Sequence, residues 1–512
     1  MNMTKTVLTA MIAVSMAATV LSATAMIDGA TNTLVSISSA TDDTTSTTKT
    51  EVMETRSTPN SSTQSQTDFE NDSQIAANMP TVQLTPSPES IFQTKDVDGG
   101  IAITGFNLNS DENVVIPTTI NDKTVVELTS TTDDHMHGAD HVVSLDLSYC
   151  KSVSIGKKAF YHCSKLTSIT LPNLPKASCD IGAQAFDSCE NLKSIRGEAC
   201  ATSIGTKAFY HCGSLVSVYG MSGCDHIGEQ AFDSCENLSS VGTLSGCTID
   251  TKAFYHCEKL ASIGDLSNCK IGHQAFDNCK SLTSIDLSNC TYIGDKAFYH
   301  CEKLTSVSDL SNCTHIGTQA FDNCKKLISI GTISNCTINQ KAFYQCENLH
   351  SIGVLSSCTI EDQAFDGCKN LSSIGTISDC TIEEQLFNDC NNLSSIGILS
   401  GCTINKRAFH SDNLVAIGKI FNCTINTTAF DCKNLTSIGD MSDCDIKIKA
   451  FEYCENLITI GNISHCNIGS QIFDAYYSKC KISSIGTISD CTIDAKSFYH
   501  CENIISINNM ID

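Results

Sequence analysis

Leu282-x-x-Ile285-x-Leu287-x-x-Cys290-x-x-Ile293-Gly294-x-x-Ala297-Phe298-x-x-Cys301-x-x-Leu304 decides the fold, because its last leucine opens a second copy of the same pattern. Phenylalanine marks the period. It stands at 160, 186, 209, 232, 254, 276, 298, 321, 343, 365, 387, 409, 430, 451, 473 and 498, sixteen positions whose 15 intervals span 338 residues, a mean of 22.5. Self-similarity at a fixed period of 20 to 50 residues is the mark of a solenoid, in which each coil buries its apolar face against its neighbours.

Departures from the pattern conserve coil length. In most coils a glycine follows the isoleucine, as in Ile263-Gly264-Asp265-Leu266-Ser267-Asn268-Cys269-Lys270-Ile271. Isoleucine to cysteine is then six residues instead of five, and cysteine to the next isoleucine two instead of three. One residue has crossed the cysteine while the register is kept, as a glycine-assisted bulge allows. From Phe160 to Phe365 the coils also alternate between K-A-F-Y-H-C (Lys158 to Cys163) and Q-A-F-D-S/N-C (Gln184 to Cys189), so the duplicated unit spans two coils. The coil at Phe409 lacks its cysteine and the next, Phe430-Asp431-Cys432, is one residue short, so an irregularity is expected there.

Upstream of Val142 the pattern changes. Ile101 to Phe106, Val114 to Pro117 and Val125 to Leu128 read as three short strands, with turns at Asp98-Gly99-Gly100 and Asn121-Asp122. Residues 92–141 are therefore expected to form an N-terminal β-cap over the first coil. Residues 26–91 read as a disordered stalk, since positions 31–90 hold 25 Ser and Thr and too little apolar area to offset chain entropy. Asn60 and Asn71 are glycosylation sequons in that stalk. Residues 1–25 read as a secretory signal peptide: Lys5, an apolar run from Val7 to Leu21, then Ala23-Thr24-Ala25. No later segment reaches membrane-spanning length, and no sorting or lipid signal is visible at the C-terminus.

The chain has 56 acidic and 32 basic side chains in 512 residues, a net charge of −24. No basic segment offsets it, which excludes nucleic acid as a partner, and without a later segment of spanning length no direct membrane insertion is expected.

An L-x-x-L-x-L-x-x-N/C core is the leucine-rich repeat signature. The longer I-G-x-x-A-F-x-x-C-x-x-L-x-x-I pattern resembles the BspA-like class of leucine-rich repeats over about 370 residues, from Val142 to the end. The strands before it resemble the β-cap that often precedes such repeats. The resemblance implies an α/β-type repeat solenoid of about 16 coils dominated by short parallel strands over residues 142–512. It also implies a secreted or cell-surface protein, as in bacteria and some parasitic protists, where several members are adhesins for host cells or matrix proteins such as fibronectin and fibrinogen. Many members carry L-P-x-x-V where this chain has L-S-N-C, which puts a second cysteine column in place of an aliphatic one.

Four constellations bear on chemistry. All 31 cysteines lie at or after Cys150, in two columns. Stacked coils stand about 4.8 Å apart. In-register Cβ atoms would hold that spacing, wider than the roughly 3.8 Å that a disulfide favours, so buried thiol columns are the preferred reading. Asp133 to His141 places His135, His137, Asp140 and His141 close together at the cap-to-repeat junction, where they could ligate zinc or calcium, or simply be solvated. His410-Ser411-Asp412 has the letters of a catalytic triad, but consecutive residues do not converge as triad members do. Finally, the position after Phe alternates Tyr161, Asp187, Tyr210, Asp233, Tyr255, Asp277, Tyr299, Asp322, Tyr344 and Asp366, which stacks into an aromatic and acidic stripe. Exposed, it is a binding stripe. Packed down, it is edge packing with Asp as a cap.

A solenoid repeats the same side chains, whereas catalysis needs a few unlike groups in one pocket, so the expectation is a non-enzymatic binding protein without a cofactor. Its partner would be an extracellular protein or glycan on a host cell or matrix. The alternative is a self-associating surface-layer or matrix component joined through its last coil, Ile504 to Met510, where no polar cap is visible.

Overall fold

The computed structural model describes residues 85–173, 178–197, 201–473 and 480–511. The expected signal peptide and residues 26–84 of the expected stalk, with both of its sequons, lie outside the described residues.

Strand β1 (Phe92–Val97) runs antiparallel to β2 (Gly100–Phe106) across the turn at Asp98 and Gly99. Two columns of parallel strands then begin. In the first, β2 pairs with β5 (Lys123–Leu128), which pairs with β7 (Ser152–Ile155) of the first repeat, and the ladder continues coil by coil to Thr492–Ile493. In the second, β3 (Glu112–Val115) pairs with β6 (Val142–Asp146), and equivalent strands continue to Ser506–Ile511. A short strand β4 (Thr119–Ile120) folds back on β5 through Asn121 and Asp122, both left-handed at φ 49° and 59°. The three expected strands are present, but they are not a separate lid. They supply the first turns of a parallel β-solenoid of about 18 turns; β1 covers the edge of the first column, and at the edge of the second Ser87 N–H donates to Val115 O while Val115 N–H donates to Ser87 Oγ, both at 3.0 Å.

The second column is interrupted once, between Ser262–Ile263 and Ser284–Ile285, where a 7-stranded sheet gives way to a 15-stranded one. The coil at Ile285 has the five-residue isoleucine-to-cysteine spacing and lies between coils with six.

The α/β label needs refinement on the third side. Among the described residues the only helices are two single 3-10 turns, Glu89–Ile91 and Ala139–His141. Tandem β-turns occupy the place of the convex helix of a leucine-rich repeat. Ala159 N–H donates to Gly156 O at 3.2 Å, Tyr161 N–H to Lys158 O at 3.1 Å and Cys163 N–H to Phe160 O at 3.2 Å. The alternate amides of Lys158, Phe160 and His162 donate instead to the Ala183, Ala185 and Asp187 carbonyls, respectively, of the next coil at 2.8–3.0 Å. Every amide of this segment is thus used, half within the coil and half along the stack. The arrangement requires left-handed backbone at Lys158 (φ 58°) and His162 (φ 57°), and the same positions are left-handed in coil after coil. Each such residue costs on the order of 1 kcal/mol, which the inter-coil hydrogen bonds offset.

Coils meet most closely at the isoleucine-glycine corner. A Cβ on Gly205 would stand 2.6 Å from the backbone nitrogen of Ala183, and one on Gly294 would stand 2.7 Å from His273 N, so a side chain there would force the coils apart.

The core is a set of columns one residue wide. Leu282, Ala297, Phe298 and Cys301 and their equivalents have no exposure in most coils. From Phe160 to Phe498 the rings form an unbroken ladder, with centroids 4.8–5.8 Å apart and planes within 30°. Phe106 and Phe92 extend it into the first turns at 6.1 and 6.2 Å. At Phe409 the expected irregularity is present: Phe409–His410 pairs with Phe430–Asp431 as a two-stranded sheet in place of the turns.

Candidate binding surface

The position after Phe lies on the turn side, and its two residue types behave differently. Tyr161, Tyr210, Tyr255, Tyr299 and Tyr344 are half-buried, while Asp187, Asp233, Asp277, Asp322 and Asp366 are buried, with 2–5% exposure. The stripe is therefore not the alternating aromatic and acidic surface that its sequence suggests. The reason is local. Gln184, Gln230, Gln274 and Gln319, three residues earlier, each donate to the aspartate through Nε2 at 2.6–2.9 Å. The next residue, Ser188, Ser234, Asn278 or Asn323, donates to the other carboxylate oxygen at 2.7–2.9 Å. Two donors per carboxylate let the acid sit below the surface.

Burial nevertheless acts on these groups. It raises the carboxyls of Asp277 and Asp322 above the ordinary range, against the hydrogen bonds from glutamine that lower them. Asp366 is raised to about 6, chiefly by burial. There Gly367 replaces the hydroxyl or amide donor, and Gln363 turns to Gln385 Oε1 at 3.1 Å, leaving Asn388 Nδ2 at 3.3 Å as the side-chain donor.

What the aspartate coils withdraw, the tyrosine coils present. Lys158, Lys207, Lys252, Lys296 and Lys341 hold Nζ 5.0–5.4 Å from the centroid of the tyrosine three residues on. The following histidine packs on the same tyrosine: His162, His211, His256 and His300 rings lie 3.9–4.2 Å from it. Left-handed backbone at the histidine turns two consecutive side chains to one side. The result is a ridge of Lys-Tyr-His clusters, one every second coil, or roughly every 10 Å. Burial, and then the neighbouring aspartates, raise the phenols of Tyr210, Tyr255 and Tyr299. The lysines escaped the sequence reading, although their i, i+3 spacing to tyrosine in K-A-F-Y-H-C was the available signal.

The residues considered as metal ligands are not brought together. His135 Nδ1 meets Asp134 at 3.1 Å, and His137 Nδ1 meets Phe106 O and Gln93 Nε2, both at 3.2 Å. His141 Nδ1 contacts Asp111 at 3.1 Å, and Asp140 is 3.9 Å from its other nitrogen. Asp111 is also bound by Lys165 at 2.6 Å, which with His141 holds its carboxyl below the usual range. Among the described residues no three His, Cys, Asp or Glu side chains converge as a metal site would require. The triad letters separate too: His410 Nδ1 faces Asp431, one coil on, at 3.1 Å.

All thirty described cysteines are thiols, 28 of them buried. In the first column the sulfur donates to the phenylalanine carbonyl of the preceding coil, as Cys189 does to Phe160 O at 3.1 Å and Cys301 to Phe276 O at 3.3 Å. Burial raises the thiols of Cys212, Cys235 and Cys301 well above the ordinary range, so these are inert.

The family described as BspA type leucine rich repeat region (6 copies) matches residues 153–270, 248–372, 332–436, 360–477 and 423–510. No curated protein matches the chain. Among solved structures, a leucine-rich repeat protein from Bacteroides ovatus is 19% identical, over 82% of this chain and 98% of that one, with a TM-score of 0.41. A leucine rich cell surface protein from Faecalibacterium prausnitzii is 18% identical, over 83% and 99%, with a TM-score of 0.31. The leucine rich repeat protein of T. pallidum is 20% identical, over 56% and 91%, with a TM-score of 0.25. Among the described residues no helix is long and apolar enough to cross a membrane.

Proposed function

Since the chain belongs to the BspA-type family of leucine-rich repeat proteins, we propose that it is an exported or surface-held recognition protein that binds an extracellular protein or glycan of a host cell or matrix. The observation that carries this reading is the ridge of Lys-Tyr-His clusters. Five equivalent lysines, each set over a tyrosine, recur on one side of the array. Lysine and tyrosine that share a contact are pre-ordered for a partner, and repetition converts weak single contacts into avidity. Repeat arrays in general bind large partners through extended surfaces of this kind. Export rests on the leader from Lys5 to Ala25.

The test is binding of the full chain to intact host cells and to a panel of matrix proteins, with a salt titration and a Lys207→Met/Lys252→Met/Lys296→Met variant checked by circular dichroism. Saturable binding that weakens with salt and falls at least tenfold in the variant is expected. Absence of binding, or binding that the variant retains in full, overturns the reading. A second reading, self-association, rests on the last described coil, where Ile505 is 88% and Ile507 37% exposed. Light scattering over a dilution series separates the two.

A further inference from the structure

The two cysteine columns are not equivalent. From Cys189 to Cys454 the first-column sulfurs donate to a phenylalanine carbonyl of the preceding coil at 3.1–3.6 Å, which turns them along the stack into a backbone acceptor. From Cys358 to Cys491 the second-column sulfurs donate within their own turn, as Cys358 does to Ser356 O at 3.2 Å and Cys380 to Ser378 O at 3.1 Å. Their remaining contacts run from coil to coil. The amide of Cys358 donates to Cys380 Sγ, that of Cys402 to Cys423 Sγ and that of Cys444 to Cys466 Sγ, each at 3.4 Å. The coils stay in register here, with Ser356 opposite Ser378 and Thr359 opposite Thr381, but successive sulfurs are not equivalent. Cys358, Cys402 and Cys444 reach back to Ile333, Ile377 and Ile420 carbonyls at 3.5–3.6 Å, whereas no such contact is seen for Cys380, Cys423 or Cys466. The column thus alternates two sulfur environments, and the amide-to-sulfur contact recurs from Cys466 to Cys491 Sγ at 3.5 Å.

From this geometry we propose that the second column is a set of oxidisable staples: a mild hydroperoxide oxidant converts the pairs Cys358 with Cys380, Cys402 with Cys423 and Cys444 with Cys466 into disulfides that join successive coils.

The chemistry balances with the peroxide as the electron acceptor. One thiol attacks the peroxide, its S–H and the O–O bond break, and a sulfenic acid and one water form. The partner thiol then attacks that sulfur, the S–OH bond breaks, and the disulfide and a second water form. Two thiols lose two electrons in all, and one peroxide is reduced to two waters. Direction of attack is set within each pair. Hydrogen bonds from neighbouring sulfurs lower the thiols of Cys358, Cys402 and Cys444, the last through Cys423 first and then Cys466, and such contacts raise those of Cys380, Cys423 and Cys466. The lowered member is the one that meets peroxide. First-column thiols such as Cys212, Cys301 and Cys324 are raised by burial and do not react. Each staple closes a loop of 21 or 22 residues around one coil, so oxidation stiffens the array coil by coil.

The experiment uses the full chain, reduced, desalted and kept folded. It is titrated with hydrogen peroxide, quenched, alkylated in denaturant and digested for mass spectrometry. Expected are three cross-linked peptides joining the named pairs, with Cys301 and Cys324 still alkylated, and a higher urea midpoint that dithiothreitol reverses. In a Cys380→Ser variant, Cys358 should then be trapped by a 1,3-diketone as its sulfenic acid. Alkylation of all six named cysteines at saturating peroxide overturns the proposal, as do links confined to the first column. Conversion of the six to sulfinic acid without cross-links overturns it equally.

Discussion

Removing one ring from the ladder should cost more at its centre than at its end, by an amount the structure sets. Phe298 is wholly buried and stacked on both sides, with Phe276 at 5.2 Å and 5° and with Phe321 at 5.1 Å and 10°. Phe498 is half-buried and, among the described residues, stacks on one phenylalanine, Phe473, at 5.8 Å and 30°. Truncating a buried Phe to Ala costs about 3–5 kcal/mol, and each well-formed ring pair adds about 0.5–1.5 kcal/mol. Phe298→Ala is therefore expected to cost about 5 kcal/mol, and Phe498→Ala, which loses one poor pair and leaves no closed cavity, about 2 kcal/mol. Because each coil contacts only its neighbours, a central break should also uncouple the two halves of the array. Urea unfolding followed by circular dichroism, with reductant present, reads both effects. The expected result is a lower midpoint with a split or broadened transition for Phe298→Ala, and a small shift of a single transition for Phe498→Ala. Equal costs at the two positions, or a central cost below about 2 kcal/mol, would refute a core held together by ring-on-ring contacts.

Three further outcomes are expected. Gly205→Ala would place a Cβ 2.6 Å from Ala183 N, and backbone cannot yield cheaply, so a loss of about 1–3 kcal/mol should appear in thermal unfolding. Cys301→Ala should cost about 1 kcal/mol, because Phe276 O keeps the amide of Cys279 at 3.2 Å, and Cys301→Ser, which still donates, should cost no more than the alanine variant. Asp366 has a folded-state value of about 6 against 3.8. The folded chain therefore binds the extra proton between these values, and stability is lost as pH rises through that window and stays lost above it. Asp366→Asn should match the parent near pH 4 and exceed it above pH 6 by about 1 kcal/mol after allowance for solvent screening, as read by melting at both pH values.

Several features are legible in residue spacing alone. The Phe period, the leucine and isoleucine columns, the cap strands with their two turns and the irregularity at Phe409 all follow from residue spacing, because a one-dimensional repeat reports its stacking register directly in the chain. The turn side was less legible. Nothing in K-A-F-Y-H-C separates a helical turn from tandem β-turns, since what decides is left-handed backbone at Lys158 and His162, which those residues adopt only when the next coil receives their amides. The Tyr and Asp stripe failed in part for a related reason. Position gave each residue its column, but the depth of Asp187 depends on donors from Gln184 and Ser188 closing over it.

By itself, then, the sequence determined that this chain is a parallel repeat array, where each coil ends and which residues share a column, because those properties depend on spacing along one dimension. The tertiary structure alone decided what each column exposes. It buried the carboxylates, set lysine and histidine against tyrosine, scattered the His135 to His141 side chains and gave the two thiol columns different partners. Those outcomes depend on hydrogen bonds between neighbouring coils, and such bonds exist only once the stack has formed.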